Sequence, residues 1–161
     1  GGKMKSIILY SSNTGNTKKI AEVIHTTIPN SVLVNIKDNN EVNLEDYDFI
    51  VVGGWIDRAT LDTTSLTLVK NIKNKKIGYF FTLGASPDSE HAKNCVDNID
   101  KLFLENNNSI VKRYFCQGAI DPKLTAIMSS SPERKKRWEI AASHPDENDL
   151  FMAIQTFSNL I

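Results

Sequence analysis

Hydrophobic residues in this chain gather into short, nearly continuous runs separated by polar stretches. Ser6 to Tyr10, Asp48 to Val52, Ile77 to Leu83 and Ile110 to Cys116 each read as a strand buried on both faces, since a strand covered by two layers has no solvent side to keep polar. Val32 to Ile36 alternates more and suits a sheet edge. Between these runs the apolar positions recur at helical spacing: Ile20, Val23, Ile24 and Ile28; Leu66, Leu68, Val69 and Ile72; Val96, Ile99, Leu102 and Phe103. Strands alternating with helices predict an α/β protein, a doubly wound parallel sheet of five strands with helices on both faces. The tail breaks the alternation, and Pro122 to Met128, Pro132 to Ala142 and Glu147 to Leu160 predict extra C-terminal helices. Ser131-Pro132-Glu133 and Pro145-Asp146-Glu147 carry the chemistry of helix starts. Asp38 to Glu45 is polar and reads as a loop.

Composition narrows the class. The 161 residues, 40% apolar and 24% charged, suit one domain with its own core. Basic and acidic residues number 19 each, so no net field favours nucleic acid or an anionic membrane. Cys95 and Cys116 lack the paired spacing of a zinc or thioredoxin-type site and read as reduced structural thiols. No apolar run reaches the roughly 18 residues of a membrane span. Gly1 to Lys3 read as an expression remnant ahead of a domain spanning 4–161, and without an apolar leader the expected location is cytoplasmic.

The chemistry concentrates where the first strand meets the first helix. Ser11-Ser12-Asn13-Thr14-Gly15-Asn16-Thr17 offers hydroxyls, amides and one glycine, with no carboxylate. A helix N-terminus already presents unpaired N–H groups to an anion, and neutral side-chain donors add to them, so the loop suits a phosphate monoester. In an open parallel sheet the ligand crevice lies beyond the carboxyl ends of the strands where the winding reverses, here after strands one and three. Other phosphate chemistries fit poorly. A P-loop ends in Gly-Lys-Ser/Thr, whereas Lys18 follows Thr17. A dinucleotide fold needs three spaced glycines and has only Gly15. A cysteine phosphatase needs a thiol in the loop, and a phospho-accepting receiver needs acidic strand ends.

Ser12-Asn13-Thr14-Gly15-Asn16-Thr17 closely resembles the Ser/Thr-x-Thr-Gly-x-Thr phosphate loop of the flavodoxin family, and the resemblance extends along nearly the whole chain. It implies strand order 2-1-3-4-5 and FMN as the cofactor. Asp57-Arg58-Ala59-Thr60-Leu61-Asp62, Thr82-Leu83-Gly84-Ala85, Asp88-Ser89-Glu90-His91-Ala92, Cys116-Gln117-Gly118 and Ser143-His144-Pro145 are similar to a bacterial flavodoxin-like subgroup, some members of which are associated with bilirubin reductases. With the phosphate on the first loop, the flavin ring is expected along the loops after strands three and four. Gly53 and Gly54 would allow close approach, Trp55 would stack on the ring, and Thr82, Leu83, Gly84, Ala85 and Ser86 would offer backbone donors to its edge. Ser86 stands where the subgroup commonly has an aromatic residue, and Ala59 where a glycine is frequent.

Other residues carry less. His25, His91 and His144 match no metal spacing. Arg134-Lys135-Lys136-Arg137, followed by Trp138, reads first as the solvated side of a helix. Asp57, Arg58 and Asp62 lie near the expected ring, as a loop ion network or as contacts to a substrate or partner. No catalytic acid or base is conspicuous. The reading is an FMN-binding electron-transfer protein served by redox partner proteins, a reductase and an acceptor. Its rivals are an FMN-dependent NAD(P)H:quinone or flavin reductase, or a reductase component for a pigment-like substrate, and a flavodoxin-like module without flavin.

Overall fold

The computed structural model describes residues 4–38, 42–120, 123 and 131–160. The remnant read at Gly1 to Lys3 and, apart from Lys123, the helix expected at Pro122 to Met128 lie outside them. Strand β1 (Ser6–Tyr10), helix α1 (Asn16–Thr27) and strand β2 (Ser31–Asn35) open the chain. A 3-10 turn at Leu44–Asp46, overlapping the end of the stretch read as a loop, leads to β3 (Phe49–Asp57), the short β4 (Thr60–Leu61) and α2 (Thr63–Val69). Then come β5 (Lys76–Leu83), α3 (Glu90–Glu105), β6 (Ser109–Gln117), α4 (Pro132–Ala141) and α5 (Glu147–Ser158).

The parallel sheet runs β2-β1-β3-β5-β6, which is the expected order once the extra β4 is counted. β4 pairs antiparallel with the end of β3. Alternate side chains along each strand divide the core into two layers. Ile7, Leu9, Ile50 and Phe81 face Val69 on α2, Ile72 just beyond it, and Cys95, Ile99 and Phe103 on α3. Ile8, Tyr10, Val51 and Phe80 face Ile20 and Ile24 on α1 and Ala153 and Phe157 on α5. β1 and β5 are buried through most of their length, whereas β2 is half exposed as an edge strand should be. Both expected helix starts are used: Ser131 accepts from the Arg134 N–H, and Asp146 forms a reciprocal capping box with Asp149. Among the described residues no helix is long and apolar enough to cross a membrane.

Reading β3 as ending at Val52 stops the strand too soon. Pairing with β5 continues through Gly53, Gly54 and Trp55, which sit opposite Phe80, Phe81 and Thr82. Glycine normally weakens a strand, but here it admits a neighbour: a Cβ on Gly53 would overlap the Phe80 ring. The Phe80 ring therefore crosses the β3 backbone and seals the α1 side of the core. Gly53→Ala should destabilise the fold by about 1–3 kcal/mol, the usual range for overpacking. Urea denaturation checks this, and an unchanged midpoint would show that Phe80 swings aside without cost.

Candidate functional site

All five parallel strands end at the same edge of the sheet, so the loops that follow β1, β3, β5 and β6 meet there. They enclose a cavity of about 180 Å³ whose walls include Thr14, Thr17, Trp55, Thr82 and Gly84. At its base the Thr17 and Thr82 hydroxyls, both on buried residues, lie 3.4 Å apart. The one ionisable side chain on the wall, among the described residues, is Asp57.

The loop after β1 is built to leave donors at its mouth. Gly15 precedes α1 with φ +93°, in the left-handed region where glycine carries no Cβ penalty. Among the described residues no atom lies within 4 Å of where its Cβ would be, so backbone conformation rather than packing calls for glycine. Among the described residues no side chain caps the α1 N-terminus, and its first turn holds no acidic residue. The Ser12 hydroxyl accepts from the Gly15 N–H at 3.0 Å and folds the loop on itself. Ser11 ties the loop to the sheet by donating its N–H to the Gly53 carbonyl at 2.9 Å. Asn13, Thr14, Asn16 and Thr17 reach the cavity wall, whereas Ser12 and Gly15 shape the loop from behind.

The end of β3 brings Trp55, half buried, to the opposite wall. Gly53 and Gly54 stand behind it. The side-chain space at Gly54 is filled by Asp62 Oδ1, which a Cβ there would overlap, just as Phe80 fills that at Gly53. Asp62 is 2% exposed and accepts from the Trp55 N–H at 3.3 Å, the Ser65 N–H at 3.2 Å and the Ser65 hydroxyl at 2.8 Å. It caps α2 and orients the Trp55 peptide, which separates it in role from Asp57, on the wall, and Arg58, at the hairpin tip. Arg58 and Ala59 both take positive φ, 55° and 63°, the backbone of a two-residue turn that glycine or asparagine adopts more readily. The Ala59 carbonyl is held by the Asn98 side-chain N–H at 2.8 Å.

At the end of β5, Thr82 and Leu83, and Gly84 just beyond it, reach the cavity. Ala85 packs against the α2 and α3 core instead, and exposed Ser86, off the cavity wall, spends its hydroxyl on the Asp88 N–H at 3.3 Å. A fourth wall lies outside the residues expected from sequence. Gly118, Ala119 and Ile120, after β6, close the cavity, and the Asn16 side-chain N–H donates to the Ala119 carbonyl at 2.9 Å. Ala119 in turn donates its N–H to the His144 carbonyl at 2.9 Å. The signal lay in the Cys116-Gln117-Gly118 strand end, which parallel pairing must deliver to the same edge.

The histidines remain apart from this site. His144 Nδ1 lies 2.6 Å from Asp149 Oδ2 and 3.7 Å from Asp146 Oδ2, a cluster close enough to converge on one ion. Those carboxylates already serve the capping box at the start of α5. His25 bonds the Ser31 hydroxyl at 2.9 Å.

An uncapped helix start rich in hydroxyls, a half-buried tryptophan and backbone from two further loops, gathered at the edge of a doubly wound sheet, define the class of a flavodoxin-fold domain. The flavodoxin-domain family model matches residues 7–158, and the chain belongs to the flavodoxin family. It is 35% identical to the flavodoxin-like domain-containing protein BilS of Clostridioides difficile, over 98% of this chain and 97% of that protein. In structure it resembles a flavodoxin from the domain Archaea, with TM-score 0.59 and 17% identity, covering 98% of this chain and 96% of that one. A flavoprotein from Lactobacillus acidophilus, solved in complex with FMN, matches with TM-score 0.55 and 22% identity, covering 71% of this chain and 94% of that one.

Two groups near the β6 end make the fold alkali-sensitive. Burial pushes the Cys116 thiol up to about 12, with the nearby Asp149 charge adding to it, and burial likewise raises the Tyr114 hydroxyl. Both groups hold their protons more tightly when folded than when unfolded. The thiol's stabilisation is whole below its ordinary value of 9.0 and is lost as pH rises from there toward 12. Unfolding free energy should fall across that window, by at most about 1.4 kcal/mol per pH unit for each group. Cys116→Ser should make the decline shallower in denaturation curves taken at stepped pH, and an equal slope in the variant would assign the effect elsewhere.

Proposed function

We propose that this protein binds FMN across the cavity and carries electrons between redox partner proteins. The observation that carries the reading is the convergence of the Ser12 to Thr17 loop, Trp55 and the Thr82 to Gly84 backbone on one cavity. The fit to a phosphate monoester rests on the uncapped α1 N-terminus, the positive φ of Gly15 and the open space above it. FMN, when bound, accepts and donates one or two electrons at its ring.

The chain's own contribution is to hold and screen. Thr14 and Thr17 add hydroxyl donors at the phosphate end. Trp55 offers an aromatic face, and its peptide is fixed by buried Asp62, so the ring plane is set from within the core. Thr82, Leu83 and Gly84 supply backbone groups for the ring edge. Gly118 to Ile120, fastened to Asn16, shield the side next to the phosphate.

A carrier is favoured over a reductase because the described cavity wall offers Asp57 alone as an ionisable group, and electron transfer requires no acid or base. The second reading, a reductase or reductase component, draws support from the 35% identity to BilS over nearly the whole length of both chains. Ser86, expected among the backbone donors to the ring edge, lies off the cavity wall with its hydroxyl on the Asp88 N–H and lends that reading nothing. A member of the fold without flavin is disfavoured by the intact phosphate loop.

Thr14→Ala or Thr17→Ala should weaken FMN binding about ten-fold to a hundred-fold, the cost of removing one donor from a desolvated dianion. Thr60→Ala, outside the loop, is the control. Fluorescence titration decides, and unchanged affinity in both loop variants removes the loop from the site. FMN should also quench Trp55 rather than Trp138, so quenching that survives in Trp55→Phe and disappears in Trp138→Phe relocates the ring.

Net charge bears on potential and class together. The 19 basic and 19 acidic residues cancel, so the reduced flavin meets less like charge than in strongly acidic flavodoxins. Its most negative reduction step should be less negative than theirs, as spectroelectrochemical titration will read. Steady-state assays with NADH and NADPH separate the two functional readings. Turnover of a quinone or dye without added reductase would overturn the carrier.

A further inference from the structure

Lys37, two residues beyond β2, touches both the loop after β1 and the end of β3. Its ammonium donates to the Ser12 carbonyl oxygen at 3.0 Å and lies 4.8 Å from the centroid of the Trp55 ring. The backbone that carries it is fixed: the Ile36 N–H donates to the Tyr10 carbonyl at 2.9 Å, and the Lys37 N–H to Asn35 Oδ1 at 3.0 Å. The side chain thus bridges the end of the edge strand, the loop after β1 and the tryptophan of the opposite wall.

Both contacts act on a ligand through other groups. The Ser12 carbonyl shares its peptide with the Asn13 N–H, which trans geometry sets on the opposite side, and Asn13 lines the cavity. A cation on the carbonyl polarises that peptide and makes its N–H a stronger donor, an effect that surrounding water reduces at this exposed contact. An ammonium within about 6 Å of an indole centroid is attracted to its face, which restrains the ring. One charge therefore acts on the phosphate loop and on the aromatic platform together.

We propose that Lys37 is a positioning residue for flavin mononucleotide, coupling the phosphate loop to Trp55 so that the terminal phosphate and the ring are bound as one unit. This rests on the FMN reading above. It makes Lys37 a determinant of selectivity for the phosphorylated flavin over riboflavin, because the polarised peptide acts on the phosphate alone.

The test uses the full chain with Trp138→Phe, which leaves Trp55 as the reporter. FMN and riboflavin affinities are measured for this protein and for Lys37→Met, Lys37→Arg and Lys18→Met added to it. Lys18 is exposed and lies 4.0 Å from Glu22, so its loss removes the same charge near the loop without either contact. Lys37→Met should weaken FMN about ten-fold and riboflavin less than about three-fold, and should alter Trp55 emission before any flavin is added. Lys37→Arg keeps the charge, a donor and a preference for aromatic faces, and should restore most of the FMN affinity. Equal losses for FMN and riboflavin, an equal effect of Lys18→Met, or an unchanged FMN affinity in Lys37→Met would each overturn the proposal. A parent protein that binds no FMN would sink the functional reading and this one together, whereas normal parent binding with an unaffected Lys37→Met sinks this one alone.

Discussion

The site depends on the parallel pairing of β3, which has β1 on one side and β5 on the other. Because these strands run the same way, their carboxyl ends reach one edge of the sheet, and three loops distant in sequence become the walls of one cavity. That pairing continues through Trp55 while the Phe80 ring crosses the bare backbone of Gly53. The missing side chain at Gly53 thus lets β3 run past a large core residue. The length of β3 in turn decides where the tryptophan stands.

Polar groups near the cavity are divided between holding loops and facing outward into it. Ser12 and Asp62 spend their oxygens on the protein's own N–H groups, one folding the β1 loop and the other capping α2 and fixing the Trp55 peptide. Asn16 reaches across to the β6 loop, and that loop hangs in turn from the His144 carbonyl. The donors left toward the cavity are then held by a network that binding need not rearrange, which lowers the ordering cost of taking up an anion. The hairpin tip at Arg58 and Ala59 is the strained element beside this rigid frame, with two non-glycine residues at positive φ braced by Asn98.

Sequence alone was enough for the α/β class, the five parallel strands and the phosphate-loop motif, because each is written in local pattern. Buried strands must be apolar in a run, helices must repeat near 3.6, and an anion site at a helix start needs small polar residues in immediate succession. Tertiary structure decided what pattern cannot carry. Gly53 and Gly54 read as room for a ligand, but the room is taken by Phe80 and by Asp62, whose approach depends on the neighbouring strand and on α2. Ser86 read as part of the ring site, yet the chain has already turned toward the α3 cap by that point. Ala119, Ile120 and Lys37 join the cavity and its rim without a local pattern that marks them, since a backbone carbonyl or a lysine stem gains its role only from what the fold sets beside it. Local chemistry is legible along the chain, but contacts between residues far apart in sequence exist only after the sheet has chosen its register.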